Sequence, residues 1–172
     1  MEIQNCNKQI DFLKGVQIKN CSKSKYEGKR IMKECKVITY LSFHGSCEEA
    51  VNAYINAFGG KILFLSRWDE RNCDDKRLHG KIMHMEFLLG ETNMAAGDRF
   101  EAEPINESVK LMIHTETEED ALKSIEILKT GGKVLSELAP HPEPDDGGMG
   151  CCLTDKYGVT WIITCPNPRN RY

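Results

Sequence analysis

No stretch of this chain approaches the roughly 20 consecutive apolar residues that a membrane-spanning helix requires, so such a span is excluded. An apolar signal-peptide core is lacking too: residues 1–14 are largely polar where that core would sit, and the chain is expected in the cytoplasm. The eight cysteines, at 6, 21, 35, 47, 73, 151, 152 and 165, contain no C-x-x-C and no Cys/His pair at finger spacing. That speaks against a disulfide scaffold or a structural zinc site, and for reduced thiols that fill core space. There is no G-x-G-x-x-G, no P-loop and no G-x-S-x-G elbow, so nothing marks dinucleotide, nucleotide or serine-hydrolase chemistry. Positive charge is missing from the main body. The formal net charge is −3, split as +4 over residues 1–34 and −7 over residues 35–172, which argues against nucleic acid as a partner.

What the chain does have is a repeat. Glu48-Glu49-Ala50, an apolar-periodic run and Gly59-Gly60-Lys61-Ile62-Leu63 are answered by Glu118-Glu119-Asp120-Ala121, a second such run and Gly131-Gly132-Lys133-Val134-Leu135. Internal repeats determine the architecture, and two similar halves usually bind ligands where they meet. In the first half, β-rich Val37–Phe43 is followed by Ser46-Cys47-Glu48-Glu49, which fits a capping box. Ala50, Val51, Tyr54 and Phe58 then form an apolar helix face that Gly59 stops. Strands are expected over residues 61–66, 81–89 and 92–96, with a charged loop over 67–77. The second half gives a strand at 109–114, then a helix capped by Thr115 or Thr117 with Ala121, Leu122, Ile125 and Leu128 on its apolar face. Strands follow at 134–138, 151–154 and 159–165, the last two joined around Asp155-Lys156-Tyr157-Gly158. Residues 1–34 read as a poorly ordered extension with a short helix near Ile10–Ile18, and Met32 could serve as an alternative initiator. The domain is expected over 35–168, its halves at about 35–100 and 105–168.

The alternation of side chains along a strand sorts the candidate chemistry. On residues 81–89, Met83, Met85, Phe87 and Leu89 share an apolar face, whereas Ile82, His84, Glu86 and Leu88 share the other. A His and a Glu two residues apart on one strand point the same way, as an acid/base pair or a ligand pair must. The same pair also fits a partly exposed face on which both meet water. Lys110, Met112 and His114 share a face of their strand, and Thr160, Ile162 and Thr164 share one opposite Trp161 and Ile163. If these mixed faces line one concavity, it holds His84, Glu86, Lys110 and His114, with Glu86 and Lys110 able to neutralise each other. His44 falls at a turn and His141 among prolines in a loop, and a solvated imidazole is expected at both.

Taken together, Ile38–Leu41 with Cys47–Ala50, Phe58-Gly59-Gly60, Ile82–Glu86, Gly131–Val134 and Thr154–Trp161 resemble the vicinal oxygen chelate superfamily, the glyoxalase and bleomycin-resistance fold. Within it they are most similar to the PhnB-like branch, which often carries a 3-demethylubiquinone 3-methyltransferase-like label. The resemblance implies an α+β fold in which paired βαβββ units form a half-open mixed-sheet barrel with the helices outside. Metal-dependent members of the superfamily place four ligands on the concave strands, and the matching positions here are Thr39, His84, Lys110 and Ile162. Only His84 is a competent ligand, so the usual metal centre and any other cofactor are expected to be absent. The loop over 140–148 is acidic where the branch has an aromatic Trp-Gly stretch. No parallel-sheet pattern is present that would hold a methyl donor.

The function expected from this resemblance is binding of a small aromatic or amphipathic molecule by a homodimer. Thr39, Tyr40, His84, Lys110, Met112, Trp161 and Ile162 would form the ligand-binding wall, with His84 and Glu86 at the polar end as the catalytic candidates. The rival expectation is a metal-dependent glyoxalase-like lyase, isomerase or dioxygenase with non-standard ligands drawn from His84, Glu86 and His44 or His114. A partner-binding role through the basic N-terminal segment is the third.

Overall fold

The repeat in the sequence becomes a repeat in the backbone. The computed structural model describes residues 37–101, 108–143 and 147–170, so the extension over 1–34, its helix and Met32 lie outside the described residues. The first unit comprises β1 (Thr39–Phe43), α1 (Cys47–Phe58), β2 (Gly60–Arg67), β3 (Ile82–Leu89) and β4 (Thr92–Asp98), in the sheet order β1-β4-β3-β2. The second comprises β5 (Leu111–His114), α2 (Glu118–Lys129), β6 (Lys133–Pro140), β7 (Gly148–Thr154) and β8 (Thr160–Pro166), in the order β5-β8-β7-β6. β1 pairs with β4, and β5 with β8, in parallel, and every other pairing is antiparallel. This is the expected α+β fold of paired βαβββ units, built as two separate mixed sheets rather than a closed barrel.

The Gly-Gly pairs have two distinct jobs. Gly59, with φ of 76°, ends α1 by donating its N–H to the Ile55 carbonyl at 2.8 Å. A Cβ on Gly60 would stand 2.1 Å from the Leu88 carbonyl oxygen, and one on Gly132 would stand 2.5 Å from that of Thr154. In both units the second glycine therefore lets the new strand run against the backbone of its neighbour. Each β2-type strand then takes a bulge at the same place, leaving Leu63 and Leu135 out of register.

The helices differ at their starts. Thr117 caps α2 as expected, its Oγ accepting the Asp120 N–H at 3.1 Å. Ser46 makes no such bond. The Cys47 N–H is taken instead by Asp98 Oδ1 at 3.0 Å, while Asp98 Oδ2 accepts the Ile82 N–H at 2.9 Å. One buried carboxylate thus joins the starts of α1 and β3 to the end of β4.

Both helices pack on the inner faces of the sheets and on each other. Ala50, Val51 and Tyr54 of α1 and Ala121, Ile125 and Leu128 of α2 enter one core with Met85, Phe87, Leu153, Trp161 and Ile163. Leu122, expected on the apolar face of α2, is exposed. Ile82, expected beside His84, is buried in the core, because a register irregularity at Ser66 and Arg67 turns the first residue of β3 inward. Of the five described cysteines, all are unbridged and four are buried. Burial pushes the Cys47 thiol up to about 12 and that of Cys151 to about 11, so neither is a thiolate near neutral pH.

Glu49, expected to complete a capping box, instead ties the units together: its carboxylate accepts from Lys156 Nζ at 2.6 Å and Tyr157 Oη at 3.0 Å. These bonds, that of Lys156 first, hold its pKa below the ordinary 4.5. A depressed carboxylate stabilises above its unfolded pKa and loses that contribution as pH falls through its folded value. Wild type is therefore expected to melt above Glu49→Gln near neutral pH, with the difference closing below about pH 4.5. Melting curves from pH 7 to 3 check this, and a constant gap would contradict it.

Candidate functional site

β3 carries the centre of the site. Because β-strand side chains alternate, His84, Glu86 and Leu88 face away from α1, and the sheet register sets their neighbours. Glu86 aligns with Ala95 of β4 and Phe64 of β2, and Ala95 aligns with Tyr40 of β1. His84 lies one step along the same face, opposite Ser66. The His84 ring stacks on Tyr40 at 5.9 Å, with 19° between planes, and Phe64 flanks it at 6.3 Å. Tyr40 can lie flat because its hydroxyl comes within 2.5 Å of where a Cβ on Gly97 would be.

Two features of His84 bear on chemistry. Its Nε2 lies 3.6 Å from Glu86 Oε1, too long for a hydrogen bond and close enough for an ion pair once the ring is protonated. Its Nδ1 is buried without a hydrogen-bond partner. Buried polar atoms in folded proteins are nearly always satisfied, and an exception calls for an explanation such as an ordered water, an ion or a catalytic role.

The outer face of the second sheet carries a matching but different set. Met112, Ile162 and Cys152 align across β5, β8 and β7, as do His114, Thr164 and Gly150. His114 Nδ1 and Thr164 Oγ1 are 2.7 Å apart. The His141 ring lies over Gly148 and Gly150, where a Cβ on Gly150 would stand 2.6 Å from its Nε2. His141 follows β6 in a loop as expected, but is half-buried against the sheet rather than solvated. Alternating glycines on a strand were the available signal for that close approach. Cys151 and Cys152 take opposite faces, the first in the core and the second on this outer face.

The residues expected to share one wall are therefore divided. Tyr40, His84 and Glu86 occupy the outer face of the first sheet, while Met112 and Ile162 occupy that of the second, with exposed Lys110 just before β5. Glu86 lies on β3 of the first sheet, whereas Lys110 precedes β5 of the second. Thr39 aligns with Met94 of the core and so sits on the face opposite Tyr40. Trp161 is fully buried between α1 and the second sheet, its ring 4.9 Å from Tyr54 and 5.1 Å from Phe58, and it lines no open face. On the two outer faces Tyr40 is 41 % exposed and Met112 53 %, while Ala95 and Thr164 are buried. A cleft of about 700 Å³ lies between α1, α2 and the end of β5 and includes none of Tyr40, His84 and Glu86.

The four positions that match the superfamily's metal ligands do not fit a divalent ion. Thr39 is on the wrong face, Ile162 has no donor atom, Lys110 brings a positive charge, and His84 alone can ligate. Among the described residues, no three His, Cys, Asp or Glu side chains gather as an ion would require.

Residues 35–164 match the family described as 3-demethylubiquinone-9 3-methyltransferase. Among solved structures, the PhnB protein of Bacillus cereus, which carries the same family description, is 30 % identical with a TM-score of 0.67, over 76 % of this chain and 99 % of that one. PA1353 from Pseudomonas aeruginosa is 24 % identical with a TM-score of 0.66, over 77 % and 98 %. The fosfomycin resistance protein FosX from Listeria monocytogenes shares the fold at 12 % identity, with a TM-score of 0.56 over 82 % and 100 %. A comparison with curated proteins finds no match.

Proposed function

The chain belongs to the PhnB-like, 3-demethylubiquinone-9 3-methyltransferase family of the vicinal oxygen chelate superfamily, and on that premise we propose that it is a metal-independent small-molecule-binding protein. The observation that carries this reading is His84, seated between the Tyr40 and Phe64 rings with its Nε2 3.6 Å from Glu86 Oε1, on the face of the first sheet away from α1. An aromatic or amphipathic ligand would lie against Tyr40 and Phe64 and complete the hydrogen bonding of His84, with Glu86 beside it at the polar end. Open sheet faces bearing exposed apolar side chains call for cover. A second copy supplies it most simply, its Met112 and Ile162 facing the first copy's His84, so that a homodimer closes the cup and brings Lys110 to its rim. A cytoplasmic location goes with this reading.

The 3.6 Å between His84 and Glu86 supports a second reading, in which His84 removes a proton from the bound molecule and Glu86 steadies the imidazolium. Both readings place the ligand at the same atoms. They are tested by melting the protein against a panel of aromatic acids, phenols and amphipathic amides, alongside His84→Ala. A ligand at one hundred times its Kd should stabilise the wild type by about 2.7 kcal/mol. The variant should bind about tenfold more weakly or worse, as expected for loss of a hydrogen bond to a buried group. Equal stabilisation of both proteins would overturn the assignment, and light scattering at the mass of one chain would overturn the dimeric cup.

A further inference from the structure

We propose that Glu86 is the specificity residue of the His84 face, and that the ligand it selects carries a cationic nitrogen head, a protonated amine or an amidinium, at one end of an apolar body. The inference deepens the reading above and rests on it. The Glu86 side chain is 26 % exposed, and its one ion-pair partner among the described residues is His84, at 3.6 Å and beyond hydrogen-bond reach. A carboxylate so placed meets its hydrogen-bonding needs with water. A ligand that lies on this face displaces that water, and it loses affinity unless it brings donors of its own. A cationic N–H group supplies both the donors and the opposite charge, whereas an anionic head is repelled.

The surroundings of Glu86 favour a cation further. In register, Glu86 aligns with Ala95 and through it with Tyr40, whose ring stacks on His84. The two rings form an aromatic surface with Glu86 beside it, and the face of a phenol ring attracts a cation. Two cationic side chains stand farther along the sheet, Lys61 opposite Leu88 and Arg99 beyond Gly97, where its Nε donates to Ser42 Oγ at 2.8 Å. The second unit shows that the fold does not require this set. Counted from the matching bulges at Leu63 and Leu135, Cys152 stands where Glu86 does and Met112 where Tyr40 does. His84 corresponds to Gly150, over which the His141 ring lies. The same sheet thus forms with a thiol in place of the carboxylate, so Glu86 is not there to hold β3 in its sheet.

The test uses four probes of similar size: benzamidine, benzylamine, the neutral benzamide and the anion benzoate, titrated into the full chain and followed through the backbone amide signals of Glu86 and Ala95. At least one cation is expected to bind about tenfold or more tightly than benzamide, a typical value for a charge-assisted bond, with benzoate the weakest. Which cation prevails distinguishes a planar, two-donor head from a simple ammonium. Glu86→Gln should abolish the preference and Glu86→Asp should keep part of it, whereas Glu119→Gln, which removes an exposed carboxylate on α2, should leave it unchanged. Benzamide or benzoate binding as well as the cations, with His84→Ala weakening all four, would leave the binding cup standing and overturn the role of Glu86. Preserved cation preference in Glu86→Gln, or its equal loss in Glu119→Gln, would overturn it as well, and no shift with any probe would overturn both.

Discussion

Trp161→Ala is expected to destabilise the protein by about 3–5 kcal/mol, the range seen when a buried large aromatic is cut back to alanine. The side chain is fully buried and packs against Tyr54 and Phe58 of α1, so it joins the core of one unit to the helix of the other. Its indole Nε1 also donates to Asp155 Oδ2 at 2.8 Å, while Asp155 Oδ1 accepts the Tyr157 and Val159 N–H groups that shape the β7–β8 turn. Alanine leaves a cavity and takes one bond from a buried carboxylate, whereas Trp161→Phe keeps most of the volume and should cost less. Urea unfolding measures both, with the m-value expected to hold while the midpoint falls. A residue lining the ligand cup would behave oppositely, losing affinity at little cost in stability.

Asp98→Ala is expected to cost about 3 kcal/mol or more, since charged hydrogen bonds are worth roughly 1.5–3 kcal/mol each and two are lost. The Cys47 and Ile82 N–H groups would be left buried without an acceptor, and they belong to different elements. Asp98→Asn keeps one acceptor oxygen and should recover part of the loss. The distinguishing measurement is hydrogen exchange: the Cys47 and Ile82 amides should lose protection more than those at the middle of α2. Uniform loss of protection would mean that Asp98 supports the fold only generally and does not cap α1.

These two residues also show where sequence reading succeeds and where it stops. The twin units were legible because Gly59-Gly60 and Gly131-Gly132 each combine a helix stop with a backbone contact that excludes any side chain. Thr117 was legible as a cap because its partner is three residues away. Asp98 was not, since it caps α1 from 51 residues downstream and local pattern favours the adjacent Ser46. Strand alternation correctly opposed Trp161 to Thr160, Ile162 and Thr164. The family resemblance nevertheless drew Trp161 into the binding wall, and Thr39 along with Tyr40, although adjacent strand residues face opposite ways. Ile82 was misplaced for a different reason, since an irregularity beside β2 resets the alternation and no sequence period reveals it. His84, Glu86 and Tyr40 come out on one face of one sheet, whereas Met112 and Ile162 belong to the other sheet and Lys110 just precedes it. That division depends on how the units pack, which alternation within a single strand does not encode.

The most direct measurement is the metal content of untagged, undialysed protein by mass spectrometry, made in parallel on His84→Ala. A cup that binds an organic ligand through His84, with Thr39 turned away and Lys110 and Ile162 at the remaining ligand positions, predicts no stoichiometric zinc, nickel, iron or manganese in either sample. Near-stoichiometric metal in the wild type, lost in the variant, would contradict this account and place the chain among the metal-dependent enzymes of its superfamily.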